Sequence, residues 1–256
     1  MPISDYLKHV STQQIANFIT CLSILTLFIM PIKSNADTAL PIELDDVSIT
    51  YKIKLESKSF NAILGKLTNS IKKTENGFTV KSVTKVQGMA AILIGSNEQQ
   101  SCDFIMQDGY AIPQRYVGGT IQKDQYKVDF DWQEQKITFN DAESLDMPKG
   151  YVVDNCSMSF ALALQKGQGL ETRPVYIVDG KKKRIRGYTL LSSEDVSIET
   201  PIGNKDTTKI VLQRELRSDR TLTFWLSKED QYIPIKMQDK RKSRTTTITV
   251  SAINAE

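Results

Sequence analysis

The sequence predicts a mainly β protein with an antiparallel architecture, and three observations lead to that fold class. Apolar and polar residues alternate with a period of two, most clearly over 49–55 and 126–132, which is typical of half-buried strands. Turn dipeptides such as Asn76-Gly77 and Asp108-Gly109 separate the alternating runs. Short strands recurring every 8–12 residues or so indicate a sandwich or a barrel.

The same alternation predicts most of the remaining elements. One helix is predicted over 154–167, because Asp154 or Asn155 can cap its start and Gly167 can end it. The apolar run 88–95 fits either a buried strand or a short helix, since periodicity does not separate the two. Further strands are predicted at 78–86, 136–139, 175–178, 186–191, 196–200, 209–214, 221–226, 232–237 and 245–253.

The first 36 residues have the pattern of a cleaved secretory leader. Lys8 precedes an apolar run over 18–32, which ends at the small residues of Ser34-Asn35-Ala36. That run is too short and too polar for a spanning helix, and we expect no transmembrane segment in the mature chain. The predicted organisation is a signal peptide over 1–36, a tether over 37–46 and one β-rich domain over 47–256. We therefore expect a periplasmic protein, cleaved after Ala36.

Composition excludes several classes of function. The formal charge of +3 falls to +2 once the leader is removed, which argues against a nucleic-acid partner. The only histidine, His9, lies in the leader, so no Ser-His-Asp or Cys-His system is expected. No Gly-rich phosphate loop occurs, and two cysteines cannot complete a zinc site. We expect no catalytic residues, no metal and no cofactor.

The mature chain keeps Cys102 and Cys156, because Cys21 lies in the leader. Export to an oxidising compartment favours a disulfide between them. The alternative is a pair of separate buried thiols that pack as small hydrophobic side chains.

Carboxylates are the remaining candidates for catalysis. Asp129 and Asp131 share one face of a predicted strand, and Glu134 follows shortly after. Paired acids can hydrolyse glycosides when their pKa values are driven apart. Alternation places both acids on the solvated face, opposite the aromatic side chains, which favours an ordinary surface.

Two basic clusters occur late in the chain, at predicted hairpin tips. Such clusters can dock to anionic headgroups, or they can be solvated turns that protect sheet edges from aggregation. The candidate contacts are Lys181, Lys182, Lys183, Arg184 and Arg186 in the first cluster, and Lys240 and Arg241 in the second.

The apolar run 88–95 is the strongest sequence candidate for ligand binding. It could close over a hydrophobic concavity, with Met89, Ile92 and Leu93 against the ligand, or it could simply be core. The concavity would be lined by inward-facing positions of the strands. Those positions are Tyr51, Ile53, Phe130 and Trp132.

Several motifs resemble those of an exported proteobacterial family of unknown function. They are a TP-x-G turn at 200–203, a W-L strand at 225–226 and a Y-x-P-V-like strand at 232–235. The resemblance implies a curved antiparallel sheet or half-barrel, similar in outline to the LolA/LolB lipoprotein carriers. One or two short helices, at 88–95 and 154–167, would cover its concave face. The family has no agreed activity, so no catalytic residue is carried over.

The expected function is therefore non-enzymatic binding or transfer of a lipophilic envelope molecule, a lipid or a lipoprotein acyl chain. An alternative is an interaction or scaffold protein that contacts an envelope protein and has no cavity. A more distant alternative is a carboxylate hydrolase of envelope polysaccharide. A carrier needs several hundred Å³ of apolar space, whereas a scaffold should be filled solid.

Overall fold

The computed structural model describes residues 46–87, 97–120 and 125–255, which form one curved sheet with a helix on its concave side. The predicted leader, most of the tether and the run 88–95 lie outside the described residues. Within them the elements are β1 (Val47–Ser57), β2 (Asn61–Thr74), β3 (Gly77–Val86), β4 (Glu98–Gln107), β5 (Tyr110–Thr120), β6 (Tyr126–Asp131), β7 (Lys136–Phe139), β8 (Glu143–Asp146), β9 (Tyr151–Asp154), α1 (Met158–Gly167), β10 (Val175–Asp179), a 3₁₀ turn (Gly180–Lys182), β11 (Arg184–Thr200), β12 (Gly203–Arg214), β13 (Arg220–Ser227), β14 (Pro234–Arg241) and β15 (Arg244–Ala255).

The sheet has two arms that meet where the first described strand pairs with the last. The N-terminal arm runs outward from β1 to β8, and the C-terminal arm runs outward from β15 to β9. Neighbouring strands are antiparallel throughout, except that β9 and β10 are parallel because α1 connects them. The order is β8-β7-β6-β5-β4-β3-β2-β1-β15-β14-β13-β12-β11-β10-β9.

The sheet stays open, but its arms curve until the end of the C-terminal arm packs on the N-terminal arm. The Tyr151 hydroxyl of β9 donates to the Ala111 carbonyl of β5 at 3.2 Å. Gly180, in the 3₁₀ turn, lies so close to β6 that a Cβ atom there would stand 2.7 Å from the Tyr126 ring. Lys183 adds an ion pair with Glu143 of β8 at 3.0 Å. The result is a roll with a concave interior.

Strand alternation decides which side chains reach that interior. In β1, Ile49, Tyr51 and Ile53 are buried and face inward, while Lys52 between them is exposed. The Tyr51 hydroxyl donates to the Pro234 carbonyl at 2.9 Å, which satisfies this polar group inside the core. The inward faces of both arms and α1 share one hydrophobic core.

Helix α1 lies inside the roll rather than on an outer surface. Every residue from Met158 to Gln165 is buried. Its N-cap is Ser157, so the expectation of Asp154 or Asn155 at that position was wrong. Asp154 still supports the helix entry, because its carboxylate accepts from the Ser157 amide at 2.8 Å.

The helix ends at Gly167, as predicted, and a turn just beyond it satisfies its last carbonyl groups. Gly169 adopts a left-handed conformation with φ of 69°. Its amide donates to the Lys166 carbonyl, and the Leu170 amide donates to the Gln165 carbonyl. These two bonds form a Schellman motif, which explains why a glycine stands at position 169.

The structure confirms the mainly β fold class and the curved open sheet. The predicted strands at 186–191 and 196–200 form one strand, β11.

Trp132 lies beyond the end of β6 in a turn, where its indole donates to the Pro113 carbonyl at 2.7 Å. Strand β14 begins at Pro234 rather than 232, because Gln231 and Tyr232 take positive φ values. Alternation missed β2, β4, β5, β8 and β9.

Cys102 and Cys156 form a disulfide, as the sequence analysis predicts. Their Cα atoms are 6.0 Å apart, and both residues are buried. The bridge joins β4 of the N-terminal arm to the loop before α1, and so fastens the helix inside the roll. Since the bridged sulfurs are not thiolates, they are poor metal ligands although Asp154 lies within 4.8 Å of them.

We predict that removing this bridge destabilises the folded protein. The closed loop spans 54 residues, so Cys102→Ala/Cys156→Ala should lower the free energy of unfolding by about 2–5 kcal/mol. Urea unfolding of the wild type with and without dithiothreitol measures the same effect. The double variant is the control, since dithiothreitol should leave its midpoint unchanged. Equal midpoints for the variant and the oxidised wild type would contradict the prediction.

Candidate ligand cavity and its arginine-rich end

Among the residues that the structure describes, no helix has the length and hydrophobicity that a membrane-spanning segment requires.

A cavity of about 310 Å³ lies inside the roll, between α1 and the inward faces of both arms. Half of the residues that line it are apolar and half are polar. Its apolar part comprises Ile53, Leu67, Cys156, Met158, Ile177, Leu222, Phe224, Met237 and Ile248. Its polar part comprises Asn69, Ser82, Thr84, Gln100, Asn155, Ser159, Gln238, Asp239 and Thr246.

The polar residues of the N-terminal arm form a cross-strand row. Asn69 of β2 is paired with Ser82 of β3, which is paired with Gln100 of β4. Paired residues of antiparallel strands share one face, so all three side chains turn inward. The Asn69 side-chain oxygen is buried and has no hydrogen-bond partner within the described protein. The row therefore offers polar contacts to a molecule in the cavity.

An acid on the cavity wall is held by two arginines. Asp239 of β14 accepts from Arg220 at 3.1 Å and from the Arg241 Nε at 2.9 Å. Burial alone would raise the pKa of Asp239, but the hydrogen bond from Arg241 and the charge of Arg220 outweigh it. The pKa of this carboxyl is consequently lowered.

A second acid with two arginines lies nearby, at the turn between β10 and β11. Asp179 pairs with Arg184 at 3.5 Å and also with Arg186, whose side chain is only 9% exposed. Ile177 of the cavity wall is the cross-strand neighbour of Arg186. The Asp179 charge also helps to raise the pKa of Arg241, after the larger effect of Asp239, so the two groups lie within electrostatic reach. We call these six residues the arginine-rich end of the cavity, of which Asp239 lies on the cavity wall and the other five lie beside it.

The residues that the sequence assigned to ligand binding take different positions. Ile53 lies on the cavity wall. Tyr51 and Phe130 are packed in the core, and Trp132 packs back on β5 through its bond to Pro113. Met89, Ile92 and Leu93 lie outside the described residues, so their contact with a ligand stays a prediction.

The basic hairpins require a correction. Lys181, Lys182, Lys183 and Lys240 are exposed, as expected for surface contacts. In contrast, the Arg186 side chain is only 9% exposed and pairs with Asp179, so it does not belong to a solvated basic patch. Arg184 and Arg241 also pair with acids of the arginine-rich end, but their side chains stay 43% and 41% exposed, so their contact with an anionic surface stays a prediction. The sequence contains a signal for the orientation of these arginines. Arg184 and Arg186 lie four and two residues before Tyr188, and Arg241 lies four residues after Met237, so each arginine is on the same face of its strand as an inward-facing side chain.

The acids considered for hydrolysis lie on the outward face of β6. Asp129 pairs with Arg115 at 3.0 Å and with Lys127 at 2.8 Å. Burial would raise the pKa of Asp129, but bonds from Lys127 and Arg115 lower it below its ordinary value. Asp131 accepts the Gln133 and Glu134 amides in a turn. A carboxyl that serves as general acid needs a raised pKa, so the lowered pKa of Asp129 argues against that role.

Comparison with known proteins gives a family and a fold. The family model described as a protein of unknown function (DUF3108) matches residues 47–249. The chain belongs to the DUF3108 family. This membership confirms the resemblance to a family of unknown function, and its description gives no activity. No curated protein matches this DUF3108 chain.

Solved structures similar to this DUF3108 protein include one that supports its fold. The beta-barrel-like protein of the domain of unknown function DUF1849 from Brucella abortus has a TM-score of 0.53 at 14% identity, covering 83% of this chain and 98% of that chain. The Mycobacterium tuberculosis lipoprotein LppX has a TM-score of 0.24 at 12% identity, covering 82% and 89%. A DUF1329 family protein from Desulfovibrio piger has a TM-score of 0.30 at 10% identity, covering 86% and 91%. Only the first similarity is strong enough to argue from, and it supports the curved sheet.

We predict that Asp239→Asn destabilises the protein in a pH-dependent way. Because folding lowers the pKa of Asp239, its contribution is present above the unfolded value of about 3.9 and is lost as the pH falls through the folded value. The variant should lose about 1–3 kcal/mol of unfolding free energy at pH 7.

Urea unfolding between pH 7 and pH 2 measures this difference. The curves of wild type and variant should converge in acid, where the protonated carboxyl no longer neutralises its arginines. Asp46→Asn, at an exposed side chain, controls for the loss of one charge. A difference that stays constant over the whole pH range would contradict the assignment.

Proposed function

We propose that this protein is an exported, non-enzymatic protein of the cell envelope that binds a lipophilic molecule in the cavity of its rolled sheet. The observation that carries the proposal is the cavity of about 310 Å³ between α1 and the two arms. That volume lies at the lower end of the range of about 300–1,000 Å³ for small-molecule sites. A scaffold protein would have no need to keep this interior space open.

The composition of the wall supports an amphiphilic ligand. Apolar side chains of the C-terminal arm, among them Leu222, Phe224 and Met237, offer the contacts that an acyl chain requires. Methionine suits such a wall because its flexible side chain adapts to chains of different shape. The row Asn69–Ser82–Gln100 opposite can bind oxygen or hydroxyl groups of the same molecule.

Export to the periplasm is the second part of the proposal. The leader pattern over 1–36 supports it, and the disulfide is consistent with an oxidising compartment. The tuning of Asp129 favours a binding role over carboxylate hydrolysis, because its carboxyl is held ionised by two cations.

The cavity can be tested by filling it from an inward-facing threonine. Thr84 of β3 lies on the wall, and Phe at this position would occupy part of the space. The wild type should bind the neutral fluorescent probe N-phenylnaphthylamine saturably, and Thr84→Phe should weaken that binding about ten-fold or more, since a pocket of this size has no room for both.

The matched control is Thr68→Phe on the neighbouring strand β2. Thr68 is paired with Val83 on the outward face, so the same substitution there leaves the cavity unfilled. It should retain wild-type binding, and near-UV circular dichroism of both variants checks the fold. Absence of saturable binding by the wild type, or equal affinity of both variants, would refute the proposal.

A further inference from the structure

We propose that the arginine-rich end binds the anionic headgroup of the ligand, so that the cargo is an amphiphile with an acyl chain and a phosphate or carboxylate group. This inference rests on the proposed function, because it takes the cavity as the site of the acyl chain. The arginine-rich end consists of Arg184, Arg186, Arg220, Arg241, Asp179 and Asp239.

The first argument is the charge balance. Four guanidinium groups face two carboxylates, which leaves an excess of two positive charges at this end of the cavity. The side chains of Arg184 and Arg241 are 43% and 41% exposed, so an anion can reach them from solvent. Positive charge that is partly withdrawn from water favours a neighbouring anion. A singly or doubly charged headgroup would be such an anion.

The second argument is the set of unused donors. The Arg186 side chain is 9% exposed and that of Arg220 is 11% exposed, so both are largely withdrawn from solvent. The Nε atoms of both are buried and have no hydrogen-bond partner among the residues that the structure describes. Buried polar groups are usually paired, and guanidinium donors match phosphate and carboxylate oxygens in geometry. Each acid therefore orients its arginines but leaves some of their N–H groups without an acceptor.

The third argument is position. Asp239 is itself part of the cavity wall, and its cross-strand neighbour Leu222 is part of the apolar wall. Ile177 and Arg186 form the equivalent junction on β10 and β11. Apolar wall and charged end therefore adjoin on the same face of the same strands, which is the arrangement that an amphiphile requires.

Other charges near this end do not cancel the excess. Arg214 pairs across the sheet with Tyr188 on the inward face and adds a further cation. Glu215 lies against the position where Gly187 would carry a Cβ atom, which alternation places on the outward face. Lys181 and Glu98 neutralise each other at 3.2 Å.

The test compares two ligands that differ only in the headgroup. Dodecyl phosphate should bind the wild type about ten-fold more tightly than dodecanol, because the phosphate gains hydrogen bonds to charged donors. Arg184→Gln/Arg241→Gln removes the excess of two positive charges, so it should abolish most of this preference and weaken dodecyl phosphate binding far more than dodecanol binding. It leaves the less exposed pairs Arg186–Asp179 and Arg220–Asp239 in place, so the fold should persist.

The matched control is Lys181→Gln/Lys240→Gln, which removes the same charge from exposed side chains of the same two hairpins. It should keep the preference for dodecyl phosphate. The single variants Arg184→Gln and Arg241→Gln should each reduce the preference for dodecyl phosphate about three-fold, to a value between those of the wild type and the double variant. They provide the test if the double variant is unstable.

Four results would overturn the inference. They are equal affinity of the wild type for both ligands, an unchanged preference in the arginine variants, an equal loss in the lysine control, and inorganic phosphate binding as tightly as dodecyl phosphate. The last would indicate a site for a free anion. Dodecanol binding separates the two proposals: its presence without a headgroup preference removes only this inference, whereas its absence removes the cavity proposal as well.

Discussion

The packing of the C-terminal arm onto the concave side of the N-terminal arm is the constraint on which the rest of the structure depends. An open sheet has no hydrogen bonds that would close it, so side chains and one covalent bond must hold the roll. Gly180 allows the close approach to Tyr126, and the Cys102–Cys156 bridge fastens the entry of α1 to β4. The cavity exists because these contacts hold α1 and both arms around a shared interior.

The charged groups inside the roll are difficult to explain by stability alone. Buried ion pairs often contribute little to folding, since the loss of hydration offsets their attraction. Leucine or methionine at the inward positions of Arg186 and Arg220 would suit the neighbouring core equally well. Arginines that exceed their acids in number are better explained by binding than by packing. This view joins the cavity, the polar row and the arginine-rich end into one elongated site.

Much of the fold follows from the sequence, and the exceptions have a common physical origin. Strands with apolar inward positions, such as β1 and β6, alternate clearly and were predicted. In β2 and β4 the inward positions include Asn69 and Gln100, so the period of two disappears where these strands line the cavity. Strand β5 was missed because it contains Pro113, which is unusual inside a strand, and because the pairing register shifts opposite this proline. The arginines of the site lie among exposed lysines in sequence, and only the strand pairing separates them.

The most direct test of the whole account is native mass spectrometry, with lipid extraction, of the mature protein purified gently from the periplasm of its own cells. The account predicts a bound mass that collisional activation releases as an anionic lipid or acyl compound. It also predicts a polypeptide that begins at Asp37 and is lighter by two hydrogen atoms than the reduced chain, because of the disulfide. A bare polypeptide mass at every stage of purification, with no extractable lipid, would contradict the central claim that the roll encloses an envelope amphiphile.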